Sequence, residues 1–243
     1  MTRAALWRRV CRPVAVIPRG VRALLAVALG LQIAWQAAAP APEPQARPLP
    51  PALTAARDAD APAQPALAAG LLLWLQTRID QPGARQSFRD LDYARLRAWL
   101  ALGLALDPEG PAPLARAVRV YGQVGDSERQ RILFDWVADA FTARPAERWP
   151  WLAEAAIAAH HRTGDRERAL RYARALHDHL EPGAAPLWAR DLQSALLQAQ
   201  GDYAAAAAAL EGLLAAGEVD DERERAHAER RLEFLREHQG SGP

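Results

Sequence analysis

One turn recurs along the chain and constrains the fold more than any other feature of the sequence. Each copy has an aspartate followed by an amphipathic helical pattern, and in three copies a glycine directly precedes the aspartate. The four aspartates are Asp92, Asp126, Asp165 and Asp202, which lie 34, 39 and 37 residues apart. A period in this range is typical of stacked helical hairpins. Because strand-like alternation is absent from this part of the sequence, we expect an all-α fold.

The residue types at each turn have a physical reason to be there. Glycine ends a helix well because it enters the left-handed backbone region at low cost. The turn glycines are Gly125, Gly164 and Gly201. The aspartate that follows can cap the next helix by accepting its first backbone N–H groups. Prolines, which are tolerated at helix starts, stand before the turns at Pro113, Pro150 and Pro186.

The repeat resembles the tetratricopeptide repeat family. The matching residues are Asp92-Tyr93 with "ALDP" at 105–108, then Gly164, Asp165 and Ala169, then Gly201, Asp202, Tyr203 and Ala206. The Trp, Gly and Tyr that the family has in each first helix are mostly missing, with Tyr121 and Trp188 as partial echoes. The resemblance implies an α-solenoid of about four helical hairpins over residues 66–243.

Two longer stretches carry a second resemblance. "LDYARLRAWL", with the "LALDP" that follows it, and "RWPWLAEAAIAAHHR" are similar to segments of a group of uncharacterised, membrane-anchored proteobacterial proteins of the tetratricopeptide-like type. This resemblance implies the same architecture and carries no activity with it.

The N-terminus has the pattern of a membrane anchor. Residues 23–39 contain two polar side chains, Gln32 and Gln36, and residues 1–22 contain six arginines and no acid. As a helix, the apolar run would be about 26 Å long, close to the thickness of a bilayer core. The arginines place the leader, residues 1–22, in the cytoplasm by the positive-inside rule. We therefore expect a single-pass bacterial inner-membrane protein with a periplasmic body.

Two alternatives to an anchor remain open. A cleaved signal peptide is one, since small residues follow the apolar run. Cleavage after Ala39 or Ala41 would, however, leave proline at the first mature position, and cleavage after Ala38 would place Gln36 where a small residue is needed. A buried helix of the body is the other, but the arginine flank and the segment that follows argue against it.

A proline-rich linker separates the apolar run from the body. Residues 40–65 contain eight prolines, which disfavour helix and make the segment a semi-extended tether. The apolar run at 66–75 is too short to span a bilayer, so we interpret it as the first packed helix of the body.

Composition and charge exclude several functional classes. All 30 basic residues are arginine, and after residue 39 there are 24 of them against 29 acids, which is the wrong balance for a nucleic-acid platform. The one cysteine, Cys11, lies in the leader, so neither a disulfide nor a thiolate metal site can form within the chain. No phosphate-binding loop or nucleophile elbow is present.

Histidine pairs are the main candidates for chemistry. His160-His161 and His177/His179 flank one expected turn, and the two pairs could converge on a metal. Neither pair has the i, i+4 spacing that clamps a metal on one helix. Glu147 and Glu154 could form an acid pair, but an acid that interacts with the helix end is the simpler interpretation. We therefore expect no enzyme, no cofactor and no small-molecule substrate.

Aromatic and arginine side chains cluster around "RWPWL". Trp149 and Trp151 flank Pro150, and Arg144 and Arg148 are nearby. Tryptophan and arginine dominate protein interfaces, so these four residues are the candidates for partner binding. The alternative is that Trp149 packs into the preceding repeat.

These features favour a membrane-anchored scaffold that binds a protein partner, and assembly or quality control of envelope proteins would suit that layout. A second hypothesis is an accessory subunit of a membrane complex, such as cytochrome c biogenesis or pilus machinery, and a metal-dependent enzyme is a distant third. The six alanines after Tyr203 are strong helix formers with little apolar bulk, so we expect the last hairpin to be the least stable.

Overall fold

A computed structural model of the chain describes residues 18–38, 48–52, 62–81, 84–85, 87–217, 219 and 221–239. The chain divides into two compact units, Met1–Gln45 and Ala46–Pro243. Cys11, the leader before residue 18, most of the proline-rich linker and Asp220 lie outside the described residues.

Among the described residues of the first unit, Arg19–Ala38 forms a helix, α1. An 18-residue stretch of this 20-residue helix has a mean hydropathy of 1.5, and none of the helix residues is buried. At about 1.5 Å per residue the helix is roughly 30 Å long, which matches a bilayer core. Thus α1 is long and apolar enough to cross a membrane.

The second unit is helical in its described residues, apart from a two-residue antiparallel bridge between Asp80–Gln81 (β1) and Ala84–Arg85 (β2). Its first five helices are α2 (Pro65–Ile79), α3 (Tyr93–Leu106), α4 (Ala112–Arg119), α5 (Ser127–Ala143) and α6 (Pro145–Arg162). The remaining five are α7 (Arg166–His179), α8 (Leu187–Arg190), α9 (Leu192–Ala199), α10 (Tyr203–Ala215) and α11 (Glu222–His238). Short 3-10 turns lie at Phe88–Asp90 and Tyr121–Gln123.

The repeated aspartates are the N-caps of α3, α5, α7 and α10. Each carboxylate accepts the backbone N–H three residues further on, which satisfies a donor that the helix itself leaves free. The pairs are Asp92 with Arg95 at 3.0 Å, Asp126 with Arg129 at 2.9 Å, Asp165 with Arg168 at 3.1 Å and Asp202 with Ala205 at 3.0 Å. The helix starts are thus those that the turn aspartates predict.

Two of the turn glycines have the left-handed backbone that the sequence predicts, and the third does not. The φ of Gly164 is 66° and that of Gly201 is 82°, whereas Gly125 lies outside the positive-φ region. Helix α4 already ends at Arg119, and the chain passes through a 3-10 turn to an extended Val124. No left-handed reversal is needed at Gly125, because the extended backbone leads directly into the Asp126 cap.

Two helix boundaries differ from the sequence prediction. Helix α6 begins at Pro145, so Pro150 lies inside the helix and not at its start. A proline there removes one helical N–H but leaves the rest of the helix intact. The stretch before Gly201, expected as one helix, breaks at Asp191 into α8 and α9.

The interior is formed mainly by α5 and the helices around it. Leu133, Phe134, Val137 and Phe141 of α5 are each fully buried, and α5 contacts α3, α4, α6 and α7. A second, smaller cluster joins α8 to α10 and α11. Among the described residues it comprises Leu187, Ala206, Ala207, Leu210, Leu213, Val219, Ala228, Leu232 and Leu235. The alanine-rich helix therefore packs on a separate, smaller core. The low stability of the last hairpin stays a prediction.

Part of the linker packs against the body instead of remaining a free tether. Leu49 is buried, and its carbonyl accepts a hydrogen bond from Arg95 Nη1 at 2.7 Å. The next carbonyl, of Pro50, accepts one from Trp99 Nε1 at 2.9 Å. The two side chains of α3 thus hold residues 49–50, because buried N–H donors require a partner.

Gly122 and Gly212 form a matched pair for a stability test. A Cβ at Gly122 would lie 2.6 Å from Phe134 Cε1 and 2.8 Å from the Ala117 carbonyl oxygen. A Cβ at Gly212, in α10, would meet no atom within 4 Å. We expect Gly122→Ala to lower the free energy of unfolding by about 1–3 kcal/mol and Gly212→Ala to raise it by about 0.5–1 kcal/mol. Denaturant titration followed by circular dichroism measures both, and a Gly122→Ala variant as stable as the parent would contradict the packing described for Phe134.

Candidate functional site

The helices that precede the Gly-Asp turns lie beside one another. Helix α4 contacts α6 and α6 contacts α8, while the helices that follow the turns make their own contacts, α3 with α5 and α5 with α7. We call the surface of α4, α6 and α8 the first-helix face. Its principal side chains are Arg119, Trp149, Trp151, Glu154, Ile157 and Trp188.

An arginine, a tryptophan and a glutamate form one end of this face. The Arg119 guanidinium lies 4.9 Å from the centroid of the Trp151 ring. Its Nε donates to Glu154 Oε2 at 2.8 Å and its Nη2 donates to Oε1, so the pair is bidentate. Hydrogen bonding to Glu154 raises the pKa of Arg119 above its ordinary value. Because Arg119 is exposed, the pair adds little stability, but it holds a flat cationic surface in place.

A pair of tryptophans connects α6 to α8. The Trp149 and Trp188 ring centroids are 5.5 Å apart with the planes at 72°, an edge-to-face arrangement. Trp149 is half-buried, whereas Trp188 is 52% exposed. Trp149 therefore does pack against another repeat, the one that follows, and it supports a tryptophan that solvent can reach.

The four residues singled out in the sequence do not act together. Arg148 is 8% exposed, and its Nη1 and Nη2 donate to the carbonyls of Ala140 and Pro108, each at 2.7 Å. Burial lowers the pKa of Arg148. The side chain satisfies a carbonyl in the last turn of α5, so Arg148 has a structural role and is not exposed for contact with a partner. Arg144 is half-buried and donates to Glu147 at 2.8 Å.

The two glutamates considered as an acid pair have separate partners. Glu147 accepts from Arg144, and Glu154 accepts from Arg119. Glu147 lies in the first turn of α6 as expected, but Glu154 lies further along the helix and bridges to α4. Each carboxylate thus forms an ion pair with its own arginine.

Apolar side chains and a shallow groove complete the face. Val120 and Ile157 are exposed by 39% and 37%. A groove of about 240 Å³ between α4 and α6 is lined by Val118, Arg119, Gln123, Glu154, Ile157 and His161. Arg119, Ile157 and Trp188 are not among the residues that the sequence predicts for partner binding. The repeat period could have identified Arg119 and Trp188. Arg119 lies 35 residues before its partner Glu154, and Trp188 lies 39 residues after its partner Trp149, so each contact joins positions about one repeat apart.

The histidines do not form a metal site within the described part of the chain, where no group of three or more His, Cys, Asp or Glu side chains could hold an ion. The ring centroids of His160 and His161 are 4.7 Å apart. Burial lowers the pKa of His160. His179 Nδ1 lies 3.0 Å from the Ala175 carbonyl oxygen, and its ring packs near Phe141.

No protein-family model, curated protein or solved structure matches this chain.

Proposed function

We propose that this chain is a membrane-anchored helical scaffold that binds a protein partner on its first-helix face. The observation that carries the proposal is Trp188, which is 52% exposed and supported edge-on by Trp149. A large side chain held in place by its neighbour loses little conformational freedom on binding. Tryptophan and arginine supply most interface hot spots, and the stacked Arg119–Trp151 pair lies on the same face.

A tetratricopeptide-like solenoid is the arrangement that we propose for the body. Several contacts join residues about one repeat apart: Tyr172 donates to Asp135 at 2.6 Å across 37 positions, and Arg231 is paired with Asp191 across 40. Together with the Asp caps at the same period, these contacts support stacking of equivalent hairpins. Such stacks present the first helices as a continuous binding surface.

For topology, we propose an inner-membrane protein with a cytoplasmic N-terminus and a periplasmic body. The support is the length and apolarity of α1 together with the six arginines and no acids in residues 1–22. Assembly or quality control of envelope proteins suits a tethered binding module in that compartment.

A second candidate, an accessory subunit of a membrane complex such as cytochrome c biogenesis or pilus machinery, is favoured by one observation. Gln32 and Gln36 are four residues apart in α1, so they share one face of the helix. Amide side chains on a common face hold transmembrane helices together. If the chain is such a subunit, replacing both glutamines with leucine would abolish its association with the membrane complex. A simple tethered scaffold would keep its partner binding after the same change.

The binding proposal is tested with Trp188→Ala in the full chain. We expect the amount of partner that copurifies from native membranes to fall at least about tenfold, as for removal of an interface hot spot. Mass spectrometry quantifies the partner, and circular dichroism verifies that the fold is retained. The matched control is Phe234→Ala, which truncates a 43% exposed aromatic side chain on α11, outside the face. Equal recovery with both variants would contradict the proposal.

A further inference from the structure

The first helix of the body is apolar on all sides, although the body covers only one of them. Residues 65–77 of α2 contain no charge, and Gln76 and Thr77 are their only polar side chains. The inward side is buried through Ala68, Leu72, Leu75 and Ile79. The outward side leaves Leu67, Leu73 and Trp74 exposed by 59%, 58% and 39%. A helix that is apolar on all sides is normally buried on all sides. We therefore expect the outward side of α2 to contact a second apolar surface.

The other end of the body is built differently. Helix α11 buries Ala228, Leu232 and Leu235 and presents charged side chains outward. Its exposed residues include Glu229, Arg230, Glu233, Arg236 and Glu237. A terminal helix of a stacked array needs such a polar outer surface to stay soluble. Since α11 has this polar surface and α2 does not, α2 is not a solvent-facing cap.

We propose that the outward side of α2 lies on the surface of the lipid bilayer, which makes the body a membrane-associated module. This inference rests on the anchoring role proposed for α1. Helix α1 ends at Ala38 and α2 begins at Pro65, so 26 residues connect them. Even fully extended, they reach at most about 90 Å. The tether therefore limits how far α2 can move from the membrane, and this high local concentration of lipid makes a weak interaction sufficient to hold α2 there.

The pattern of side chains on α2 fits a lipid interface. Leu67 and Trp74 are seven residues apart and so lie on the same side of the helix, and Leu73 extends the exposed apolar surface around the outer side. Trp74 is fixed by Trp99, with ring centroids 4.8 Å apart. Tryptophan prefers the depth of the headgroups. The exposed side thus combines apolar leucines with an interfacial aromatic ring, as interfacial helices do.

The size of the patch argues against a second copy of the chain as the cover. Large side chains have about 150–250 Å² each, so the three exposed fractions sum to roughly 300 Å². A specific protein interface buries about 800 Å² per partner. A membrane requires no such area, because the tether supplies the proximity.

The test is spin-label accessibility in the full chain. Cys11, the chain's one cysteine, is replaced by serine, and a single nitroxide is attached to Leu73→Cys or, in a separate variant, Leu67→Cys. Both side chains are exposed, so neither change disturbs the core. The control label is at Glu229→Cys on α11. Each purified variant is reconstituted into vesicles of phosphatidylethanolamine and phosphatidylglycerol, and collision rates with oxygen and with a water-soluble nickel chelate are measured.

We expect the oxygen-to-nickel collision ratio to be roughly tenfold higher at positions 67 and 73 than at 229, because oxygen concentrates in hydrocarbon and the chelate does not enter it. Ratios equal to that at 229 would overturn the inference. Spin–spin broadening at position 73 that disappears on dilution with unlabelled chain would overturn it in favour of a second copy. Extraction of the chain from the vesicles by carbonate would show that α1 does not insert, which overturns the anchor and this inference together. A chain that carbonate does not extract, but whose oxygen-to-nickel ratios at positions 67 and 73 equal that at 229, overturns this inference alone.

Discussion

Replacing Phe134 with alanine lowers the free energy of unfolding by about 4 kcal/mol, the largest effect expected of any single change. The Phe134 ring is fully buried at the centre of α5 and lies directly against Gly122. The surrounding backbone cannot collapse into the space, since Gln130 Nε2 donates to the carbonyls of Gly122 and Val124 at 2.8 and 3.2 Å. Most of the cavity left by the ring therefore remains open.

Denaturant titration of the full chain in detergent, followed by far-ultraviolet circular dichroism, measures the change. The matched control is Phe234→Ala on α11, where the ring is 43% exposed. We expect that variant to differ from the parent by less than about 0.5 kcal/mol. Similar losses at the two positions would mean that α5 is not the centre of the body.

Replacing Asp191 with alanine lowers the stability of the C-terminal helices by about 3 kcal/mol. Arg231 Nη1 donates to Asp191 Oδ2, and its other nitrogens donate to Ser194 Oγ and Gln198 Oε1 at 3.2 Å. Burial already lowers the pKa of Arg231. Without the carboxylate, a largely buried cation has no counter-charge, and the link from α11 to α9 is weakened.

Hydrogen exchange shows where the stability is lost. In Asp191→Ala we expect the amides of α10 and α11 to lose protection and those of α5 to keep it, because α10 and α11 pack on the separate smaller cluster. The control is the double variant Asp191→Leu with Arg231→Met, which removes both charges and restores most of the protection. If the double variant exchanged as fast as the single one, the loss could not be attributed to an unpaired charge.

Features that depend on a few neighbouring residues are visible in the sequence. Asp92, Asp126, Asp165 and Asp202 cap helices because each carboxylate needs only the N–H three residues away. The apolar α2 and the candidate span α1 follow from run length and composition. The backbone conformation of Gly125 could not be predicted in this way, because the conformation of the residues before it decides whether a left-handed residue is needed.

Roles that depend on contacts between repeats are not visible from local patterns. Arg148 looks like a free cation beside two tryptophans, yet it is buried because the carbonyls of Pro108 and Ala140 come within its reach. Trp188 echoes the tryptophan that the family has in a first helix, but neither its 52% exposure nor its contact with Trp149, 39 residues earlier, follows from its neighbours in the sequence. The packing of Leu49 depends on Arg95 and Trp99, which lie more than 45 residues further on.

Site-specific photo-crosslinking in intact membranes tests the central claim, that the first-helix face binds the partner. A benzophenone side chain is placed at Ile157, on the exposed surface of α6, or at Arg174, which is exposed on α7. We expect a defined adduct from position 157 that disappears when Trp188→Ala is added, and none from position 174. An adduct with the same partner from position 174, and none from 157, would contradict it.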